Sequence, residues 1–134
     1  MTIVESIISR ETPAEIIYED DLIIAFMDIR PINKGHILIC PKNPYPDFIS
    51  VPEDVLLSIS RVAKNIYVKL TEKYKPDGIS FLQNNGSFNE LSHYHLHIYP
   101  CYKDKGGRIR LETIGKRSSK QLSNDSQGLK LTNT

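Results

Sequence analysis

His93-Tyr94-His95-Leu96-His97-Ile98-Tyr99 alternates imidazole with an apolar or aromatic side chain at every step. In a strand, side chains at i, i+2 and i+4 share a face. Three imidazoles would then stand in a row about 7 Å apart while Tyr94, Leu96 and Ile98 enter the core. On a helix, His95 would point away from the other two. The Tyr and Ile content and the proline that follows favour a strand over His93–Tyr99, ended by Pro100.

The loop Asn84-Asn85-Gly86-Ser87 precedes this segment, and before that come a strand over Ile79–Gln83 and a turn at Pro76-Asp77-Gly78. Val55, Ile59, Val62, Ile66 and Leu70 recur at three- and four-residue intervals, which predicts one long helix to about Tyr74. Ser50 and Glu53 form an S-x-x-E pattern, so the helix is expected to start at Ser50. Four prolines make 41–52 irregular, and Pro41 stops a β-branched run over His36–Cys40. Glu15–Tyr18 and Leu22–Met27 read as a hairpin about an acidic turn, and Ile3–Ser9 as one or two helical turns. The order predicts an α+β domain: an antiparallel sheet of about five strands, one long helix and a short N-terminal helix. The domain is expected over 1–102, followed by a tail over 103–134, mobile or draped over the surface.

At 134 residues the chain fits one domain. Its net charge of +1 supplies no field that would recruit nucleic acid or an anionic membrane. The charge is nevertheless split, since 13 of the 17 Lys and Arg residues follow position 60 and seven lie between Tyr102 and Lys120. No segment has the roughly 18 apolar residues of a membrane span. Two cysteines, Cys40 and Cys101, without a CxxC pair or a secretory leader fit a cytoplasmic protein.

Only four histidines occur, and three fall within five residues. The row is open to three readings: satisfied structural histidines, a zinc site of the three with His36, or a phosphoryl-transfer site. Zinc wants about four ligands converging on one point, which adjacent positions on one strand face supply poorly. A neutral imidazole is a nucleophile near pH 7, and flanking imidazoles can donate to phosphate oxygens.

His-x-His-x-His followed by two apolar residues resembles the signature of the histidine triad (HIT) superfamily. Ile17-Tyr18-Glu19-Asp20-Asp21, Ala25-Phe26-Met27-Asp28-Ile29, Lys34-Gly35-His36-Ile37-Leu38-Ile39-Cys40-Pro41-Lys42 and Asn84-Asn85-Gly86 resemble successive segments of its Hint branch in the same order, over residues 3 to 102. The resemblance implies a nucleotide hydrolase or transferase acting at the α-phosphate of a purine nucleotide conjugate. Its substrate would be a nucleoside phosphoramidate or a dinucleoside polyphosphate, and the protein a homodimer paired through the helix and an edge strand. By position, His95 resembles the nucleophile that becomes nucleotidylated, His97 the donor to phosphate and leaving group, and His93 and His36 the pair behind the nucleophile. Asp28 matches the carboxylate that accepts the ribose hydroxyls. Ile3, Val4, Ile7, Phe26, Ile29 and Leu38 match the base pocket, with plain core packing as the alternative. Asn84, Asn89 and Glu90 match positions near the phosphates.

The chain departs from the pattern in several places. The Gly86–His93 loop is about two residues short, Phe88 replaces a usual glycine, and acidic Glu90 replaces a small hydroxyl residue. Cys101 replaces a common arginine. The positions that supply a structural zinc site in many bacterial relatives are here Thr2, Glu5 and Pro44, so no metal is expected. No cofactor is implied beyond a divalent ion accompanying a polyphosphate. A nucleotide-binding protein without turnover is the competing class, and a histidine metal site the third.

Overall fold

The computed structural model describes residues 1–105 and 111–131. Part of the basic stretch from Tyr102 to Lys120, including Arg108 and Arg110, lies outside the described residues. The strands are β1 (Ile16–Glu19), β2 (Ile23–Met27), β3 (Ile37–Pro41), β4 (Gly78–Leu82) and β5 (Leu96–Cys101), in the order β1-β2-β3-β5-β4 with every neighbour antiparallel. The helices are α1 (Ile3–Ile8), α2 (Glu53–Tyr74) and α3 (Ser119–Asp125). No helix among the described residues is long and apolar enough to cross a membrane.

The two sheet faces differ. Ile23, Ala25, Ile37, Ile39 and Ile98 bury against Val55, Ile59, Val62, Ala63, Ile66 and Leu70 of α2. The apolar stripe of that helix has the three- and four-residue spacing that places it on one side. A second cluster joins Val4 and Ile7 of α1 to Ile24, Phe26, Leu38 and Cys40 on the opposite face. Leu38 is paired with His97, so the histidine shares this second face.

Four details differ from the sequence expectation. The long helix begins at Glu53 with Pro52 as its N-cap, because the Ser50 hydroxyl is taken by Asp47 O (2.9 Å) and Asp47 Oδ1 (3.1 Å) in a preceding 3-10 turn. β5 begins at Leu96, not His93. Its pairing with β3 stops at Ile39 with Leu96, and the next residues of β3 lead to Pro41, which has no N–H to continue a ladder. Tyr94 N instead donates to Tyr45 O (2.7 Å), and Ser92 adopts φ +54°. Pro100 does not end the strand either. It pairs with Ile79, and its carbonyl turns away to accept from Asn33 Nδ2 (3.0 Å), so its missing N–H also faces away from β4. Finally, the tail contains α3, capped by Ser118 and held by the Arg117–Asp125 ion pair (2.8 Å), with no buried side chain.

Candidate active site

Asp28 and His36 face each other across the mouth of the β2–β3 connection, where Asp28 N donates to His36 O (2.9 Å). Between them the chain turns tightly. Arg30 N donates to Asp28 Oδ1 (2.8 Å), and Gly35 takes φ +94° where a Cβ would lie 2.7 Å from the Tyr74 ring. Glycine is required there on both counts. The turn also delivers Ile32 N to His36 Nδ1 (3.0 Å).

That amide contact settles the protons of the pair. An N–H can only donate, so His36 Nδ1 accepts and the neutral ring carries its proton on Nε2. Nε2–H then donates to His97 Nδ1 (2.9 Å), with Asp28 Oδ2 at 3.5 Å. His97 is left with its proton on Nε2, a donor with no acceptor among the described residues. The same reasoning applies to His95, whose Nδ1 lies 2.9 Å from the His93 carbonyl. A carbonyl only accepts, so the neutral ring of His95 holds its proton on Nδ1 and keeps a lone pair on Nε2. No fully buried side-chain nitrogen or oxygen among the described residues lacks a partner, so both unpaired Nε2 atoms reach solvent. The His95 and His97 ring centroids are 4.8 Å apart, and the His36 ring lies tilted against both His97 (5.1 Å) and Tyr99 (5.0 Å).

The expected single row of three imidazoles is therefore corrected. His93 and His95 precede the strand, and His93 is fully buried, with Nε2 donating to Pro41 O (2.7 Å) and Nδ1 beside Thr2 Oγ1 (2.8 Å). It meets His95 through its carbonyl, not its ring, and His36 bonds to His97, not to His95. Thr2, Tyr99 and the Pro41 carbonyl are partners that sequence reasoning did not place.

Val4, Ile7, Phe26 and Leu38 come together as buried packing, while Ile3 is 44% exposed on α1 and Ile29 is 86% exposed beside Asp28. Asn84 is half-buried in the loop after β4, and Glu90 is exposed. Asn89 turns inward, its amide donating to Pro46 O (2.9 Å) and accepting from Leu91 N (3.2 Å), so it braces the loop. Asp28, His36 and His97 bring ligand atoms within 4.8 Å of one another and are the one metal-capable group among the described residues, but the short His36–His97 gap is spanned by a hydrogen bond. A cavity of about 740 Å³ lies on the other sheet face between α2 and the β1–β2 hairpin, and no histidine lines it.

Burial pushes His36 and His93 below the ordinary imidazole value of 6.5, and burial together with the neighbouring His95 and His36 pushes His97 down to about 4. All three rings are thus neutral at pH 7. In the unfolded chain each binds a proton near pH 6.5 that the folded chain refuses, so the unfolded state holds more protons between about pH 4 and 6.5. Stability is full above pH 6.5 and falls as the pH drops through that window. Thermal melts at pH 7.5, 6 and 5 are expected to show a descending Tm.

A family model described as HIT domain matches residues 9–104. The chain belongs to the HIT family. An uncharacterized HIT-like protein of Methanocaldococcus jannaschii is 40% identical over 116 residues, which cover 85% of this chain and 89% of that one. A HIT family structure from Bacillus subtilis superposes with TM-score 0.87 at 26% identity, covering 99% of each chain. A histidine triad nucleotide-binding protein from Candida albicans superposes with TM-score 0.83 at 29% identity, covering 96% of this chain and 94% of that one. The HIT assignment agrees with the five-stranded antiparallel sheet and with the clustered histidines.

Proposed function

We propose that this HIT protein hydrolyses or transfers at the α-phosphate of purine nucleotide conjugates, nucleoside phosphoramidates or dinucleoside polyphosphates. The observation that carries the reading is the proton placement: His95 offers a lone pair on Nε2 beside His97, which offers a proton on its own Nε2. His95 Nε2 attacks the α-phosphorus, the N–P bond forms, and the bond to the leaving group breaks. The leaving group departs with its developing charge met by the hydrogen bond from His97 Nε2–H and takes its proton from solvent, and His36 stands behind His97 through Nε2–H. Water then attacks phosphorus, the N–P bond breaks, and the proton shed by water passes to solvent. One difficult displacement becomes two easier ones. His97 also meets the charge that develops on the phosphate oxygens.

Asp28, already accepting from Arg30 N through Oδ1, has lone pairs left for the ribose diol. Ile29 and Ile3, apolar and open, suit the purine edge. The protein supplies no metal in this scheme, and a divalent ion would arrive with a polyphosphate. Two unpaired thiols suit the cytoplasm. The chain forms a homodimer in this reading, because β4 is an edge strand, α2 exposes Leu57 and Val68, and Tyr67 of α2 forms an exposed ring pair with Phe81 of β4 (6.4 Å). Sedimentation of the full chain measures that.

The test is a panel of adenosine phosphoramidate and diadenosine tetraphosphate, with acid quench to trap an acid-labile nucleotidyl adduct on His95. Turnover with the adduct supports the reading. Nucleotide binding with neither makes the chain a binding protein without turnover, and stoichiometric zinc in protein purified without a His-tag would favour a metal site.

A further inference from the structure

Thr2 caps α1, accepting from Glu5 N (3.1 Å) through Oγ1 while its own amide donates to Glu5 Oε1 (2.9 Å). The same hydroxyl lies 2.8 Å from Nδ1 of His93, 91 residues along the chain. His93 Nε2 lies 2.7 Å from the Pro41 carbonyl, which can only accept. The ring proton is therefore on Nε2, Nδ1 is an acceptor, and the Thr2 O–H is its donor. A ring with no exposed surface is thus held at both nitrogens, by α1 on one side and the end of β3 on the other. The carbonyl of this same residue takes the Nδ1–H of His95 (2.9 Å).

We infer that Thr2 is a positioning residue for the nucleophile: its hydroxyl holds His93 with the proton on Nε2, and the ring pinned in this way sets the carbonyl that orients His95. The inference rests on the reading of His95 as nucleophile. The groups facing His93 are Glu5 from α1, and His95 from its own segment. A shift of the carbonyl by a fraction of an ångström moves the lone pair of His95 off the line of attack, and misplacement near 1 Å costs on the order of 100-fold in rate.

Three substitutions separate this role from helix capping. Thr2→Ser keeps cap and donor. Thr2→Val loses both. Thr2→Asp keeps the cap, since Asp is as good an N-cap as Ser, but it cannot donate, and its carboxylate draws a second proton onto Nδ1. The readouts are 15N shifts of the His93 ring between pH 6 and 8, and kcat and KM on the substrate that the panel selects.

Wild type and Thr2→Ser are expected to show a neutral ring protonated at Nε2, with kcat within about threefold of each other. In Thr2→Asp the ring is doubly protonated near neutral pH. In both Thr2→Asp and Thr2→Val, kcat falls about tenfold or more while KM stays within about twofold. Wild-type kcat in Thr2→Asp and Thr2→Val, or normal kcat in Thr2→Asp with loss only in Thr2→Val, overturns the inference and leaves Thr2 a helix cap. A wild-type ring protonated at Nδ1 overturns it without any kinetics. Absence of wild-type turnover on the whole panel defeats the catalytic reading of His95 instead, and the ring signals then decide the proton assignment alone.

Discussion

His95→Ala is expected to lower turnover of the preferred nucleotide conjugate by at least about 10³-fold, the scale on which loss of a nucleophile acts, and to abolish the trapped adduct. The reason lies in the allocation of protons around the ring. Nδ1 is committed to the His93 carbonyl, so the whole chemical offer of His95 is its Nε2 lone pair. No neighbour can replace it. The Nδ1 of His97 already accepts from His36, and its Nε2 bears a proton; both nitrogens of His93 are engaged and the ring is buried. Because Asp28, proposed to hold the ribose, and the open apolar residues are untouched, KM should change by no more than a few-fold. His95→Gln is the companion variant, since its amide can still donate to the orphaned carbonyl while offering no nucleophile. Both proteins should fold, as their melts will show. Retention of more than about a tenth of wild-type kcat in either would overturn the covalent mechanism.

Ile98→Ala is expected to have the largest effect on stability, about 3–4 kcal/mol. Ile98 has no exposed surface and sits on β5 between Ile37 of β3 and Phe81 of β4, packed into the cluster under α2. Removing its outer carbons opens a cavity beneath a rigid sheet and a 22-residue helix, neither of which can collapse into it. Domains of this size hold only about 5–15 kcal/mol in total, so the loss is a large share. The urea midpoint should fall with little change in slope. Ile29→Ala removes the same atoms from an 86% exposed position and should move the midpoint hardly at all. A similar shift in both variants would contradict the placement of the core.

Much of this was legible in the chain. The spacing of Val55, Ile59, Val62, Ile66 and Leu70 located α2, and the β-branched runs located all five strands to within a few residues, because both signals come from side chains seeking one face. Boundaries were less legible where a side chain had two competing partners. Ser50 could cap α2 or close the turn at Asp47, and it did the second. Two prolines depart from the sequence expectation for one reason: a proline interrupts only the ladder that its nitrogen faces. Pro100 pairs within β5 with its nitrogen turned away from β4, whereas Pro41 ends the pairing that would have carried β5 back to His93.

The site shows the same division. Four histidines, their alternation and Asp28 after β2 are facts of composition and order, and they sufficed to recognise the family. Which nitrogen of each ring holds a proton is not, because the deciding partners are the Ile32 amide and the Pro41 and His93 carbonyls, groups that nearly every residue possesses and that no residue name announces. Only the tertiary fold brings an amide four residues away, or a carbonyl 52 residues away, to within 3.0 Å of a ring nitrogen. Which imidazoles are present, and that they cluster, is written in the order of residues. The packing of α1, the Asp28–His36 turn and the end of β3 around them decided which one is left with a lone pair and which with a proton.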